Sequence, residues 1–364
     1  MTLQGKGFFI WQIKNCDKGN PDAIAAAAKA AGLTHILLKI ADGAYPVNID
    51  QTTNKDLCPP VVAALKANHI QVWGWHYVYG YPVQEAQIAI KRCQQLGLDG
   101  YVIDAEGEYK QPGKDVAARQ FMTELRKGIP NLPVALCSYR FPTFHPQLPW
   151  KEFLEKCDLN MPQMYWMGAH NPDQQLARCV REFQAMTPFR PVIPVGVTYK
   201  SGDWVTTPQD EMLFLNKARE LNLSAASFFS WEYARSILKP CWDVIASYNW
   251  ASGPTTDPVL SLLTALNTHD ANKVTALYTN DAVRVTAAQT LQGSEAIRAW
   301  WTNFFTATYP AASFTLVSFT GTGNTRSFTW TATSTKGKIT NGSDTLGVLD
   351  GKITYHYSYY SITT

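Results

Sequence analysis

The sequence predicts an α/β protein in two parts, a (β/α)8 TIM barrel over residues 1–250 and a small α+β domain over residues 257–364, joined by a linker at 251–256. Three observations lead to this reading. Eight short apolar runs alternate with amphipathic segments in the first part, the rhythm of parallel strands joined by helices. All seven cysteines (16, 58, 93, 137, 157, 179 and 241) precede residue 250, whereas the threonine-rich remainder has none. Between the two, NWASGPTTDP combines a glycine, two prolines and small polar residues, the composition of an exposed connection with a boundary near Pro254.

The apolar runs are GFFIWQI, HILLKIA, QVWGWHY, GYVIDAE, PVALCS, LNMPQMYW, PVIPVGV and AASFFSW. The segments between them, such as PDAIAAAAKAAG, PVQEAQIAIKRCQQLG and PQDEMLFLNKAREL, open with Asp or Pro and several close at Gly or Asn, which are helix start and stop signals. Eight such units in this length match a closed barrel, whose active site lies at the C-terminal ends of the strands. An open doubly wound sheet is the alternative, but no GxGxxG follows the first strand. In the last part, PVLSLLTALNTHDANKVTALY and GSEAIRAWWTNFF read as helices. ASFTLVSFTGT, TRSFTWTATST and GKITYHYSYYSIT alternate with period two, so helices are expected against an antiparallel sheet.

A net charge of +3, with no Lys/Arg run longer than a pair, provides no polyanion-binding face, so nucleic acid is not an expected partner. No apolar stretch approaches the length of a membrane helix. MTLQGKGFFIWQIKN lacks the basic start and apolar run of a signal peptide, so the chain is expected in the cytoplasm or released by a non-standard route. The odd cysteine set without a CxxC pair reads as reduced core thiols, and no motif calls for a metal or an organic cofactor.

The chemistry concentrates in strand four. In LDGYVIDAEGEY, Asp104 and Glu106 stand at i and i+2 and so project to one side of a strand. Like charges held close and partly desolvated raise one pKa, leaving one group protonated beside an anion. Glycosidic cleavage needs such a proton donor and such a negative group. Aromatics at or just beyond strand ends (Trp11, Trp73, Trp75, Tyr77, Tyr79, Tyr81, Tyr165, Trp166, Trp231) offer stacking faces for sugars, with about half expected in the core. His145 and His170 fall in loops where exposure is expected.

LLKIADG, VWGWHYV, YVIDAE and PQMYW together resemble strands two, three, four and six of glycoside hydrolase family 25, the lysozyme-type muramidases, over residues 7–235. The resemblance implies Glu106 as general acid and Asp104 as its orienting carboxylate, and it places Lys39 near the pair; Trp75 and Tyr77 are stacking candidates, and His76 is either a polar contact in the pocket or a satisfied core histidine. A family 18, chitinase-type resemblance competes: Asp99-Gly100 with Asp104 and Glu106 approaches that family's strand-four motif, with Val102 at its inner aspartate position. Gln163, Tyr165 and Trp231 match its strand-six and strand-eight positions, which implies a tyrosine at the N-acetyl group and a tryptophan floor. Both resemblances imply substrate-assisted, retaining cleavage of an N-acetylhexosamine polymer, peptidoglycan first and chitin second. IWQIKNC places Gln12 where family 25 has a strand-one aspartate, with Asp17 several residues later, and FFSWEYAR supplies Glu232 at the close of strand eight. These departures keep a non-catalytic carbohydrate-binding barrel as the second reading.

LNTHDANKVTALYTNDAV, LQGSEAIRAWW and LDGKITYHYSYY resemble the SnoaL-like, nuclear-transport-factor-2-like cone fold over the whole C-terminal part. That fold hosts enzymes, ligand binders and dimerisation modules, so the resemblance implies a ligand site or a homodimer through this domain. Tyr278, Asp281, Arg284, Trp300, Trp330, His356 and Tyr360 are the candidates for an internal cavity. Tyr355, Tyr357 and Tyr359 alternate with His356, Ser358 and Tyr360 along one strand, so at least one of these two faces is expected to be buried.

Overall fold

The computed structural model describes residues 3–250, 257–320, 324–349 and 351–363. The chain divides into two compact units, Met1–Pro254 and Thr255–Thr364. The sequence-predicted linker at 251–256 lies outside the described residues.

In the first unit eight strands form one closed parallel sheet: β1 (Gly5–Ile10), β2 (His35–Asp42), β3 (Gln71–Val78), β4 (Gly100–Ala105), β5 (Val134–Tyr139), β6 (Leu159–Met164), β7 (Val195–Val197) and β8 (Ala225–Phe229). Each pairs with its neighbour in sequence, and β8 returns to β1. All eight segments are nearly continuous runs of buried residues, as expected for strands covered on both faces. Alternate residues meet in the interior, including Phe9, Leu37, Trp73, Val102, Met161 and Val195. Gly100 belongs to this layer because a Cβ there would overlap the Trp73 indole.

The helices between strands begin and end where local chemistry directs. Proline occupies the first turn of α1 (Pro21–Ala30), α2 (Cys58–Ala67), α3 (Pro82–Leu96), α6 (Pro172–Gln184) and α7 (Pro208–Glu220), where its missing N–H has no helical partner to lose. Asn20 caps α1, and Thr207 with Asp210 forms a reciprocal capping box on α7. Gly97 ends α3 at φ +57, a left-handed conformation glycine adopts without a Cβ penalty. The remaining helices are α4 (Lys114–Gly128), α5 (Trp150–Leu154), α8 (Trp231–Ser236) and α9 (Lys239–Ser247). Five residues of α5 are too few to show a helical period, which explains why the sequence pattern lacks it. At the barrel's N-terminal end, the Lys6 ammonium donates to the carbonyls of Ile245, Ala246 and Tyr248, satisfying acceptors that the end of α9 leaves open. Among the described residues no helix is long and apolar enough to cross a membrane. All seven cysteines are buried and unpaired.

The second unit packs α10 (Pro258–Leu266), α11 (Ala271–Thr275) and α12 (Ser294–Asn303) with a six-stranded sheet. Its strands are β9 (Tyr278–Thr286), β10 (Thr290–Gln292), β11 (Ser313–Thr320), β12 (Thr325–Ser334), β13 (Gly337–Leu349) and β14 (Lys352–Tyr359), in the order β10-β9-β14-β13-β12-β11. The expected single helix over 258–278 is split, because the Asp270 side chain accepts the Asn272 and Lys273 amides and restarts the chain as α11. One pair, β9 with β14, runs parallel, so the sheet is not wholly antiparallel. Register shifts in three of the antiparallel pairings bend the sheet. His356 and Ser358 are buried, whereas Tyr355, Tyr357 and Tyr359 are exposed.

Candidate active site

Barrel closure brings the predicted residues to one level around the C-terminal ends of the strands. Lys39 lies opposite Trp75, Tyr77 opposite Asp104, and Asp104 opposite Cys137. They face a cavity of about 300 Å³, a size typical of small-ligand sites. Asp104, Glu106, Lys39, Trp75, Tyr77, Gln163 and Tyr165 all line it.

At its floor the side-chain amide of Gln163 donates to Asp104 Oδ1 at 3.1 Å and to Glu106 Oε1 at 2.8 Å. One nitrogen thus holds both carboxyls, one from the last turn of pleat in β4 and one just beyond it. Asp104 is buried and Glu106 half-buried. Burial first, and the Glu106 charge second, hold the Asp104 carboxyl well above the usual carboxylate range, opposed by the Lys39 ammonium and the Gln163 amide. Among the described residues neither carboxyl has an ion-pair partner, whereas Lys39 is paired with Asp42 at 2.5 Å. Burial thus favours the protonated form of Asp104 beside a second, more open carboxyl, and a proton donor next to an anion is the arrangement that acid catalysis draws on.

Two further acids enter the cavity that the sequence reading did not select, Asp42 and Glu108. Tyr79 donates to Asp42 Oδ1 and Tyr77 to Glu108 Oε2, each at 2.8 Å. Glu108 reaches the cavity from a short 3-10 turn, Gly107–Lys110, that follows β4, so strand alternation does not place it. Asp42 closes the LLKIAD run, but nothing local distinguishes it from a loop carboxylate. Phe9, Trp75, Tyr165 and Phe229 supply apolar walls. Two neighbouring hollows extend the cavity: one of about 480 Å³ shares Trp11, Lys39 and Asp42 with it, and one of about 460 Å³ shares Asp42 and Tyr79. Exposed rings mark the three, Trp11 on one side and Tyr45 and Tyr81 on the other.

Four predicted contacts lie elsewhere. His76 is fully buried on the outward face of β3, with Nδ1 accepting from Tyr101 Oη and Nε2 donating to Gly43 O, both at 2.7 Å. Burial pushes its pKa down to about 4, so the ring is neutral. Trp231 opens α8 rather than extending β8. It is fully buried against Phe8 and Trp242 and donates to Asp17 Oδ2, and Phe229 takes the wall position instead. Glu232 accepts the Trp11 and Gln12 amides at 2.7 and 2.6 Å, a tie between the ends of β8 and β1. Gln12 lines the adjoining hollow instead of the central cavity. Trp73 and Trp166 are core residues.

In the second unit Asp281 is exposed, while Tyr278, Arg284, Trp330 and His356 are buried together. The carboxylate of Asp344 organises them. Its Oδ1 accepts from Trp330 Nε1 and Ser358 Oγ, and its Oδ2 accepts from His356 Nε2. Tyr278 Oη meets His356 Nδ1 at 2.5 Å. Burial lowers the His356 pKa, so its neutral ring donates through Nε2 and accepts through Nδ1. Asp344 was not anticipated, because NGSDTLG reads locally as a turn-rich segment, and only pairing of β13 with β14 brings it to His356.

Residues 259–356 match the SnoaL-like domain family. Among curated proteins, none matches the chain. Solved structures similar to the chain include an NTF2-like protein from Cytophaga hutchinsonii (18% identity over 29% of this chain and 89% of that one, TM-score 0.26). Others are an NTF-2 like protein from Burkholderia xenovorans (14%, 29% and 82%, TM-score 0.26) and an LEH-like epoxide hydrolase from M. tuberculosis (17%, 29% and 76%, TM-score 0.26). The chain is thus an eight-stranded parallel barrel followed by a C-terminal SnoaL-like domain.

Proposed function

We propose that the barrel is a glycoside hydrolase acting on a polysaccharide that contains N-acetylhexosamine. The observation that carries this reading is the pair Asp104 and Glu106 on one Gln163 nitrogen, at the floor of an aromatic-walled cavity. Glu106, the more open carboxyl, contacts the glycosidic oxygen, and the proton the pair holds passes to that oxygen as the C–O bond breaks. The substrate's acetamido oxygen takes up the anomeric carbon, and water then opens the cyclic intermediate as its proton returns to the carboxyl pair. Asp104 and the other acids of the cavity steady positive charge on the ring, and Lys39 keeps the cluster of carboxyls from repelling itself. The chain of hollows with exposed Trp11, Tyr45 and Tyr81 supports an extended, oligomeric substrate.

A barrel that binds sugar without cutting it is favoured by one observation: Asp17, the carboxylate nearest a strand-one position, is tied to Trp231 and Arg235 and does not line the cavity. Turnover separates the two readings. Purified full-length protein is expected to release reducing ends from chitohexaose or from peptidoglycan, and Glu106→Gln to lower the rate by about 100-fold or more. No release from either polymer, with saturable oligosaccharide binding retained, would establish the binding reading.

A further inference from the structure

The loop that follows β3 is fixed by two charged side chains. Glu85, in the first turn of α3, is fully buried, and its carboxylate accepts three consecutive amides: Oε1 from Tyr79 at 2.6 Å, and Oε2 from Gly80 at 3.1 Å and Tyr81 at 3.0 Å. From α4 the Lys114 ammonium donates to the carbonyls of Tyr79 and Gly80 at 2.9 and 3.3 Å. Glycine at position 80 allows this approach, because its φ is +89 and a Cβ there would lie 2.4 Å from Lys114 Nζ.

A carboxylate taken out of water is costly and is offset only by the bonds it receives. The rings that this one fixes add little to the core, since Tyr81 is 62% exposed and Tyr79 only half-buried. What the clamp secures is where those rings stand. Both line the hollow of about 460 Å³ beside the central cavity, together with Tyr45. Tyr79 also lines the central cavity, where its hydroxyl donates to Asp42 and its ring centre lies 5.0 Å from that of Tyr77. Lys114 Nζ lies 5.7 Å from the centre of the Tyr81 ring, so the ammonium that holds the backbone also attracts the ring.

We propose that Glu85 and Lys114 are positioning residues for a stacking subsite: by fixing residues 79–81 they hold Tyr79 and Tyr81, beside Tyr45, ready for a sugar unit remote from the carboxyl pair, so that the barrel selects long saccharide chains over short ones. The inference rests on the saccharide reading of the barrel given above. Rings held in place before the ligand arrives lose little freedom on binding, which is what makes a surface hollow selective. Neither positioning residue lines the hollow, so both act through the backbone that they hold.

Isothermal titration calorimetry of the full chain carrying Glu106→Gln, so that bound sugar is not cut, compares chitohexaose with chitobiose. Adding Tyr81→Ala is expected to weaken chitohexaose binding by about 10-fold. Adding Glu85→Gln, whose amide turns an N–H toward backbone N–H groups, is expected to weaken it by about 5-fold or more. Chitobiose affinity is expected to stay within about 2-fold in both, a split that general loosening of the fold would not produce. Circular dichroism checks folding, and Tyr81→Ala, which removes an exposed ring, decides the matter if Glu85→Gln does not fold. Unchanged chitohexaose affinity in either folded variant, or an equal loss for chitobiose, would overturn the proposal and leave the saccharide reading standing. No binding of either oligosaccharide before the second substitution would overturn both.

Discussion

Gln163 Nε2 lies 2.8 Å from Glu106 Oε1, and the same nitrogen reaches Asp104 Oδ1 at 3.1 Å. A neutral amide on β6 thereby sets the spacing of two acids on and just beyond β4. Gln163→Leu removes the shared donor while keeping much of the volume. Hydrogen bonds to charged groups contribute about 1.5–3 kcal/mol, so hydrolysis is expected to fall by about 10- to 100-fold. Steady-state kinetics on chitohexaose, showing the loss in kcat rather than in KM, checks it.

Because Asp104 titrates above the usual carboxylate range in the folded protein, the folded state binds this proton more tightly than the unfolded chain. Its contribution to stability is fully present below pH ~4, the ordinary aspartate value, and is lost as pH rises through the folded value. Asp104→Asn has no such titration. Over the same window the difference in urea midpoint between Asp104→Asn and wild type should shift in favour of the variant as pH rises. A midpoint difference flat with pH would show that the carboxyl is not held protonated.

Trp11 and Trp231 were alike in the sequence and differ in the structure. Trp11 is 47% exposed beside the cavity, whereas Trp231 is fully buried. Trp11→Ala is expected to weaken oligosaccharide binding by about 10-fold, roughly 1.4 kcal/mol of stacking, and to leave stability within about 0.5 kcal/mol. Trp231→Ala is expected to lower stability by about 3–5 kcal/mol. Calorimetric binding and urea unfolding on the same two variants separate these roles.

His35 and His76 are both buried in the barrel with pKa values near 4, depressed mainly by burial. The unfolded chain binds these protons from pH ~6.5 downward, so their contribution to stability is complete above that value and lost as pH falls toward 4. The slope is about 1.4 kcal/mol per pH unit for each histidine inside that window. His76→Gln should remove one histidine's share of this slope, about 1.4 kcal/mol per pH unit inside the window. Measuring urea midpoints at pH 7, 5.5 and 4.5 checks it.

The legible part of the site is the part carried by short spacing. Asp104 and Glu106 stand two residues apart, so a strand through Asp104 directs both toward one side at its end. Trp75, Tyr77 and Lys39 followed the same rule on neighbouring strands. His76 is the core histidine of its two readings, because it falls on the opposite face of the same strand, buried against Tyr101. Trp231 failed because the strand ends at Phe229 and the chain turns into α8 before reaching it.

Period, caps and punctuation were therefore written in consecutive residues: eight alternating units, the prolines at helix starts, the acid pair, the change of character near Pro254. The partnership of Gln163 with residues some sixty positions earlier, and the burial of Asp344 against His356, have no local signature. They follow from closing a sheet on itself and from registering β13 on β14, and such register depends on pairings among distant segments that no window of neighbouring residues encodes.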